Sequence, residues 1–365
     1  MIVSAQRPNK PPLNGMDRSE LAALCRAAGV KESHAGRLNA ALYRHGIEEL
    51  AQIEGLPDQF RHWLGEHTVM LAPQIVAEQL AEDGTRKFLL RLADGKQIES
   101  VLIPGAGRLT QCISTQVGCA VGCGFCLTAS GGLVRNLTAA EMVAELFAGK
   151  RLAGEMARNL VLMGMGEPLH NYEEVAKFVR LATDPQGFAF APRRVTLSTA
   201  GMVPAMRRML EERLPCNLAV SLNATLDVVR DAIMPINRKY PIAEVMAVLR
   251  DYAAVYGRKR VLIEYVLLAG INDTPADAQR LLGLLEGLPA TVNLLPFNPH
   301  PGSPYRRPAD ADVTAFRAVL VAAGRVAVVR ESRGDEISAA CGQLLTESRQ
   351  QRHTATNRKD SAGSH

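Results

Sequence analysis

Three cysteines in the run GCAVGCGFC, namely Cys119, Cys123 and Cys126, are the residues of this chain whose type and spacing are best suited to chemistry. The pattern C-x3-C-x2-C lets three soft thiolates converge on one metal centre, but it supplies one ligand fewer than a closed four-cysteine cluster needs. On a [4Fe-4S] cluster, three ligands leave one iron open. An open iron can hold the amino-carboxylate end of S-adenosylmethionine, the starting point for radical chemistry. The competing reading is a structural zinc site with Cys112 or a histidine as fourth ligand. Structural zinc normally uses two ligand pairs, however, and the sequence has no second C-x2-C. A plain electron carrier would want a nearby fourth cysteine at ferredoxin-like spacing, which the x3-then-x2 order does not offer. Glycines at 118, 122 and 124 suit a backbone folded tightly around a cluster, and Phe125 could shield it from water.

The elements that must position such a loop are bounded by the whole chain. Its 365 residues can bury one core of barrel size with a smaller part beside it. No stretch of eighteen apolar residues occurs, which argues against a membrane span, and the polar start MIVSAQRPNKPPLNG is not a signal peptide. Seven cysteines, three of them in one loop, point to a reducing compartment, read here as the cytoplasm. A net charge of +5 and a pI near 8.9 suit a phosphate-rich partner without requiring one. The runs INRKYP (236–241) and PYRRP (304–308) each place a tyrosine among basic residues, as a base-stacking surface would and as a solvated loop also can.

Helix-period patterns over LAALCRAAGV, LNAALYRHGIEELAQI and QFRHWLGEH predict a small N-terminal helical domain over residues 1–68. From 69 to 104 the segments IVAEQLA, KFLLRLA and ESVLIP alternate around Asp83-Gly84 and Asp94-Gly95, which predicts a β-hairpin lead-in. The main domain is expected over 105–345. There a capping box, Thr138 with Glu141, opens a helix through about Lys150. Apolar strands then recur at NLVLMG, RVTLST, NLAVSLN, RVLIEYVLL, TVNLLPF and RVAVVRES, alternating with helical patterns. The fold class expected is α/β, a full or partial (β/α) barrel with a parallel sheet. The polar tail, 346–365, reads as disordered.

In such a barrel the chemistry sits at the carboxyl ends of the strands. The residues there are the turn Gly164-Met165-Gly166-Glu167-Pro168, then Ser198-Thr199-Ala200-Gly201, Ser221-Leu222-Asn223, and Asn298 in PFNPHPG. Gly166 and Glu167 could meet an ammonium group, Ser198, Ser221 and Asn223 a carboxylate and a ribose, and Asn298 could donate and accept. Taken alone, GMGEP could equally be just a tight turn. Cys25 and Cys216 lie in apolar segments and are expected to be core residues. Cys341, in SRGDEISAACGQL, follows the last strand and precedes Gly342, which leaves space for a close approach. A lone cysteine is more often packing than nucleophile.

The run CISTQVGCAVGCGFCLTA, followed in order by RNLT, GMGEPL, VTLSTAG, SLN, MPIN, NLLPFNP and RGDEISAACGQL, resembles the RlmN/Cfr family of radical S-adenosylmethionine RNA methyltransferases across residues 69 to 345. The resemblance implies the radical type of partial barrel, with Cys119, Cys123 and Cys126 holding a [4Fe-4S] cluster. It matches Gly166, Glu167, Ser198, Ser221, Leu222, Asn223 and Asn298 to positions that bind S-adenosylmethionine. Cys341 matches the cysteine that becomes S-methylated, Cys112 the cysteine that resolves the protein–RNA adduct in a transient disulfide, and Glu99 in IESVLIP the general base.

The implied chemistry suits its target. An electron-poor adenine ring carbon cannot attack a sulfonium methyl, so one S-adenosylmethionine methylates the cysteine and a second yields a radical that activates that methyl. The carbon radical then adds to the ring, Glu99 removes a proton, and Cys112 frees the product as a disulfide forms. The implied partners are 23S ribosomal RNA and transfer RNA, with an electron donor such as flavodoxin or ferredoxin and a monomeric enzyme. The target adenine would be flipped out or lie in a loop, gripped by the N-terminal part. Carbon 2 of adenine is the expected position; carbon 8, or a non-RNA substrate, is the alternative within the class, and a zinc-dependent nucleic-acid-binding module the alternative outside it. Two departures stand out. Asn223 occupies a place where family members carry histidine, and ESHAGRLNAALYRHG replaces an expected Phe-Arg-x-x-Gln element in the N-terminal part.

Overall fold

A computed structural model describes residues 10–105, 107–256, 261–300, 302–330, 333–334, 337–339 and 342–344. Twelve strands are present among these: β1 (Gln74–Leu80), β2 (Arg86–Arg91), β3 (Gln97–Gly105), β4 (Arg108–Cys112), β5 (Gln116–Gly118), β6 (Leu133–Asn136), β7 (Asn159–Leu162), β8 (Val195–Thr199), β9 (Asn217–Ser221), β10 (Val261–Leu267), β11 (Ala290–Pro296) and β12 (Val326–Val329). Ten of them form one sheet in the order β1-β2-β3-β4-β7-β8-β9-β10-β11-β12. From β4 to β12 every neighbouring pair is parallel. The sheet ends on β1 and β12 without closing, so the molecule is an α/β partial barrel, as the strand–helix alternation predicts.

The six apolar runs all became strands because a parallel strand covered on both faces needs no polar side. The expected hairpin is instead a three-stranded antiparallel meander, β1-β2-β3, turning at Gly84 and Gly95, both with positive φ. Antiparallel pairing of β3 with β4 joins this meander to the parallel sheet. The sequence reading missed β4 itself, RLTQC, whose polar residues hide a strand that one apolar face would have disclosed.

Period-two alternation divides the sheet into two faces. Leu160, Leu197, Val220, Ile263, Tyr265, Val292 and Leu294 are buried on the helix-covered face, where Tyr265 meets Phe316 of the helix Asp310–Ala322 at 5.3 Å between ring centroids. The helix Ala139–Ala153 starts at the expected capping box, with Thr138 and Glu141 each bonding the other's backbone N–H, and it ends at Gly154 in the left-handed conformation. At the N-terminus the helices Arg18–Ala27, Ser33–Asn39 and Asp58–His67 are present, the first with its own box between Asp17 and Glu20. Cys25 and Cys216 are fully buried, as expected of core residues.

Candidate active site

The opposite, concave face carries the polar residues, and strand register shows which of them share it. Cys112 at the end of β4 lies opposite Val101 of β3 and Val161 of β7. Val161 lies beside Thr196, and Thr196 beside Asn217. Two residues further along, Ser198 pairs with Ala219, and Ser221 with Glu264. Glu99, two residues from Val101, therefore points to the same side as Cys112, Ser198 and Ser221. One face thus gathers Glu99, Cys112, Ser198 and Ser221 from four strands.

The cysteine loop closes the carboxyl end of this face. β5 and β6 form a short antiparallel ribbon, Gln116 opposite Asn136, and the loop between them carries all three cysteines. Gly118 has φ +83°, and a Cβ there would drive into the carbonyl oxygen of Gly132, so no other residue fits. The Cys119 N–H donates to that carbonyl at 3.0 Å, Gly124 N–H to Ile233 at 2.9 Å, and Cys126 N–H to Cys123 at 3.1 Å. Gly124 is also needed for space, since a Cβ would lie 2.7 Å from the Tyr305 hydroxyl.

Burial pushes all three thiols up. Cys119 rises to about 12, helped by Cys126, and Cys123 is raised well above its ordinary value by burial first and then by the charges of Cys126 and Cys119. Each thiol of Cys119 and Cys123 thus feels a neighbouring thiolate as an unfavourable charge, the electrostatic mark of a donor set that a bound cation would stabilise in deprotonated form. Three thiol donors within one short loop, with no fourth cysteine in it, match the donor set of a [4Fe-4S] cluster that keeps one iron open.

The strand-end turns are clamped beside the loop. Gly166 has φ +106°, and a Cβ there would lie 2.6 Å from the Gln116 side chain. Glu167 N–H donates to Gln116 Oε1 at 2.8 Å. The buried Glu167 carboxylate accepts from Leu169 N–H at 3.0 Å and from Ala200 N–H at 2.7 Å, tying the end of β7 to the end of β8. Leu222 is fully buried, and its N–H donates to Glu264. Asn223 adopts φ +58°; its Oδ1 accepts from Val266 N–H at 2.8 Å, while its Nδ2 lies 3.1 Å from Met234 Sδ. Asn298 is half-buried, with Arg307 at 3.4 Å from its Oδ1.

Cys341 lies outside the described residues, but its neighbour Gly342 is placed. The Leu127 N–H donates to the Gly342 carbonyl at 2.7 Å, and Thr128 Oγ1 donates to Leu344 at 2.7 Å. The segment 342–344 is therefore bonded to Leu127 and Thr128, just after Cys126.

Several residues of this site went unnoticed in the sequence. Arg230 is fully buried; its guanidinium donates to Leu222 at 2.8 Å, Ala200 at 2.7 Å and Ser221 at 3.1 Å, and to Asn237 Oδ1 at 3.0 Å. Burial lowers it to about 10 against the supporting charges of Cys123, Asp227 and Asp231. Glu264 and Asn293 sit side by side on the concave face, bonded at 2.8 Å, with Arg330 at 3.1 Å from Asn293. Burial raises the Glu264 carboxyl, an effect that Asn293 and Arg330 oppose. A charged or amide side chain in mid-strand, as in RVLIEYVLL and TVNLLPF, is the signal that could have disclosed this pair.

Comparison with known proteins agrees with this architecture. Residues 113–282 match the Radical SAM superfamily model. The dual-specificity RNA methyltransferase RlmN of Cereibacter sphaeroides is 42% identical over 94% of this chain and 92% of its own length. The chain belongs to the RlmN family. The RlmN of Rhodospirillum rubrum is 45% identical, covering 97% of this chain and 85% of its own. A radical SAM methyltransferase from Sphaerobacter thermophilus superposes with a TM-score of 0.86 at 43% identity, over 92% of this chain and 99% of that one. As a member of the RlmN family the chain is a radical S-adenosylmethionine-dependent RNA methyltransferase. No described helix is long and apolar enough to cross a membrane.

Proposed function

We propose that this RlmN-family enzyme methylates carbon 2 of an adenine in 23S ribosomal RNA and in transfer RNA, using Cys341 as the methyl carrier. The observation that carries this reading is the bond from Leu127 N–H to the Gly342 carbonyl, which sets the residue after Cys341 against the cysteine loop. A methyl-carrying cysteine must stand where the radical is made, and this contact supports that placement.

Cys119, Cys123 and Cys126 would hold the [4Fe-4S] cluster, and Gly166, Glu167, Ser198, Ser221, Leu222, Asn223 and Asn298 the S-adenosylmethionine. Bound there, the two groups supply a carbon radical able to take hydrogen from a methyl group. Glu99 accepts the ring proton, and its place on the concave face with Cys112 suits consecutive steps on one adduct. The Cys112 thiolate then attacks the Cys341 sulfur; the new S–S bond forms as the S–C bond breaks, and the methyl carbon leaves with the electron pair and takes a proton. The disulfide needs reduction at each turnover, which suits the cytoplasm, and a small donor of the flavodoxin or ferredoxin type would serve the cluster. The enzyme would act as a monomer.

Mass spectrometry of methyladenosines in ribosomal and transfer RNA, from cells with and without the gene, tests the assignment. Loss of 2-methyladenosine from both pools is expected on deletion. Unchanged RNA in both would overturn it, and loss of an 8-methyl signal instead would move the target to the other ring carbon.

A further inference from the structure

Glu99 does not stand alone on the concave face. Lys87 of β2 lies opposite Val101 in the β2–β3 pairing, so its side chain points to the side that Glu99 occupies. Its Nζ is 3.2 Å from Glu99 Oε1, and the two side chains are 8% and 3% exposed. A buried carboxylate without a cation would give up its charge by taking a proton from solvent, and a protonated acid cannot serve as a base. The same Nζ reaches the carbonyl of Ser338 at 3.4 Å, in the terminal segment that continues to Gly342 on the cysteine loop. That segment is also fastened to the turn before β2, where Arg333 meets Asp83 at 3.6 Å. Lys87 is thus the point at which the proton acceptor and the approach to the methyl carrier are held together.

We propose that Lys87 is a positioning residue for the proton-removal step: it keeps Glu99 ionised and fixes it against the terminal segment, so that the carboxylate faces the ring carbon once the methylene bridge has formed. The inference rests on Glu99 being the base. The step it serves is a proton transfer, in which the ring C–H bond gives its proton to Glu99 and the carboxylate becomes neutral, while the C–H electrons stay on the ring and the one unpaired electron left by radical addition passes to a one-electron acceptor of the iron–sulfur type. Formation of the bridge and methylation of Cys341 come earlier and do not need the pair.

The test uses the cluster-loaded enzyme with Lys87→Met, Lys87→Gln, Lys87→Arg and Glu99→Gln. The glutamine at 87 keeps a donor for Ser338 without the charge. Three products are followed: S-methylated Cys341 by mass spectrometry, covalent protein–RNA adduct on a denaturing gel, and methyladenosine. Lys87→Met and Lys87→Gln should methylate Cys341 normally, make product at least tenfold more slowly and accumulate adduct as Glu99→Gln does; Lys87→Arg should recover most of the rate. Normal turnover by Lys87→Met beside an adduct-trapping Glu99→Gln would overturn this proposal alone. Normal turnover by Glu99→Gln would overturn the base assignment and this proposal with it. Loss of Cys341 methylation in both uncharged variants, with no adduct, would reduce the pair to an element of folding and so overturn the positioning role.

Discussion

Arg230 shows how much of this site depends on one side chain that performs no chemistry. Its fully buried guanidinium satisfies three carbonyls at the ends of β8 and β9, together with Asn237. Arg230→Met would take this donor from the Ala200 and Ser221 carbonyls and from Asn237, and leave Leu222 only the N–H of Ala224. Leaving buried acceptors unsatisfied should cost about 1–3 kcal/mol, measured as a lower urea midpoint of the metal-free protein. Arg230→Lys has fewer donors in a different geometry and should recover only part of it. A midpoint unchanged in Arg230→Met would show that the network contributes nothing. The sequence could not disclose this residue: in DVVRDAI it reads as one more solvated helix charge, and only tertiary placement makes it a buried tie. The cysteine triplet stands out in the sequence for the opposite reason, because the role proposed for it requires a local spacing. Asn223 falls between the two. Its letter marks a departure from the histidine expected there, but only the structure shows φ +58°, a backbone state that asparagine and histidine both enter more readily than most residues.

At the scale of elements, strands β7 to β12 were legible because a strand buried on both faces is an apolar run, and the helix Ala139–Ala153 because its capping box is a local pattern. The ribbon of β5 and β6 was not, since three or four residues of mixed polarity carry no period. Nor was the purpose of Glu145 on that helix. It is fully buried, accepts from Ser114 N–H at 2.9 Å, and so fastens the helix to the sheet just beyond Cys112. Burial holds its carboxyl well above the ordinary value of 4.5. A carboxyl raised in the folded state favours folding while neutral, so its contribution is present below the ordinary value and is lost as pH rises through the window above it. Against Glu145→Gln, which keeps the acceptor and cannot ionise, the natural protein should be of similar stability at pH 4 and fall behind toward pH 7, by up to about 1.4 kcal/mol per pH unit in that window. Urea titrations of both metal-free proteins at several pH values would show this. Parallel curves would mean that Glu145 is not held neutral.

For the whole molecule, the question is whether the N-terminal helices are an appended RNA grip or part of the fold. The helix Ala139–Ala153 is buried almost all round, and a helix without a polar face must be covered on both sides. The sheet covers one side. The N-terminal residues cover the other: a Cβ on Gly15 would run into Ala140, Lys150 points to the carbonyls of His45 and Gly46, and Glu20 pairs with Lys177 of the helix Tyr172–Thr183 at 2.7 Å. Such packing predicts one cooperative body across the expected boundary near residue 68. The single tryptophan, Trp63, lies in the helix Asp58–His67 and reports on the N-terminal part alone, whereas far-ultraviolet circular dichroism reports on the whole chain. In urea the two signals should change together for the natural protein. Gly15→Val would overpack the contact with Ala140 and should lower both midpoints together, by about 1–3 kcal/mol. If the fluorescence transition moved while the circular dichroism transition stayed in place, the N-terminal helices would be an independent unit, and their replaced Phe-Arg-x-x-Gln element would bear on RNA recognition alone.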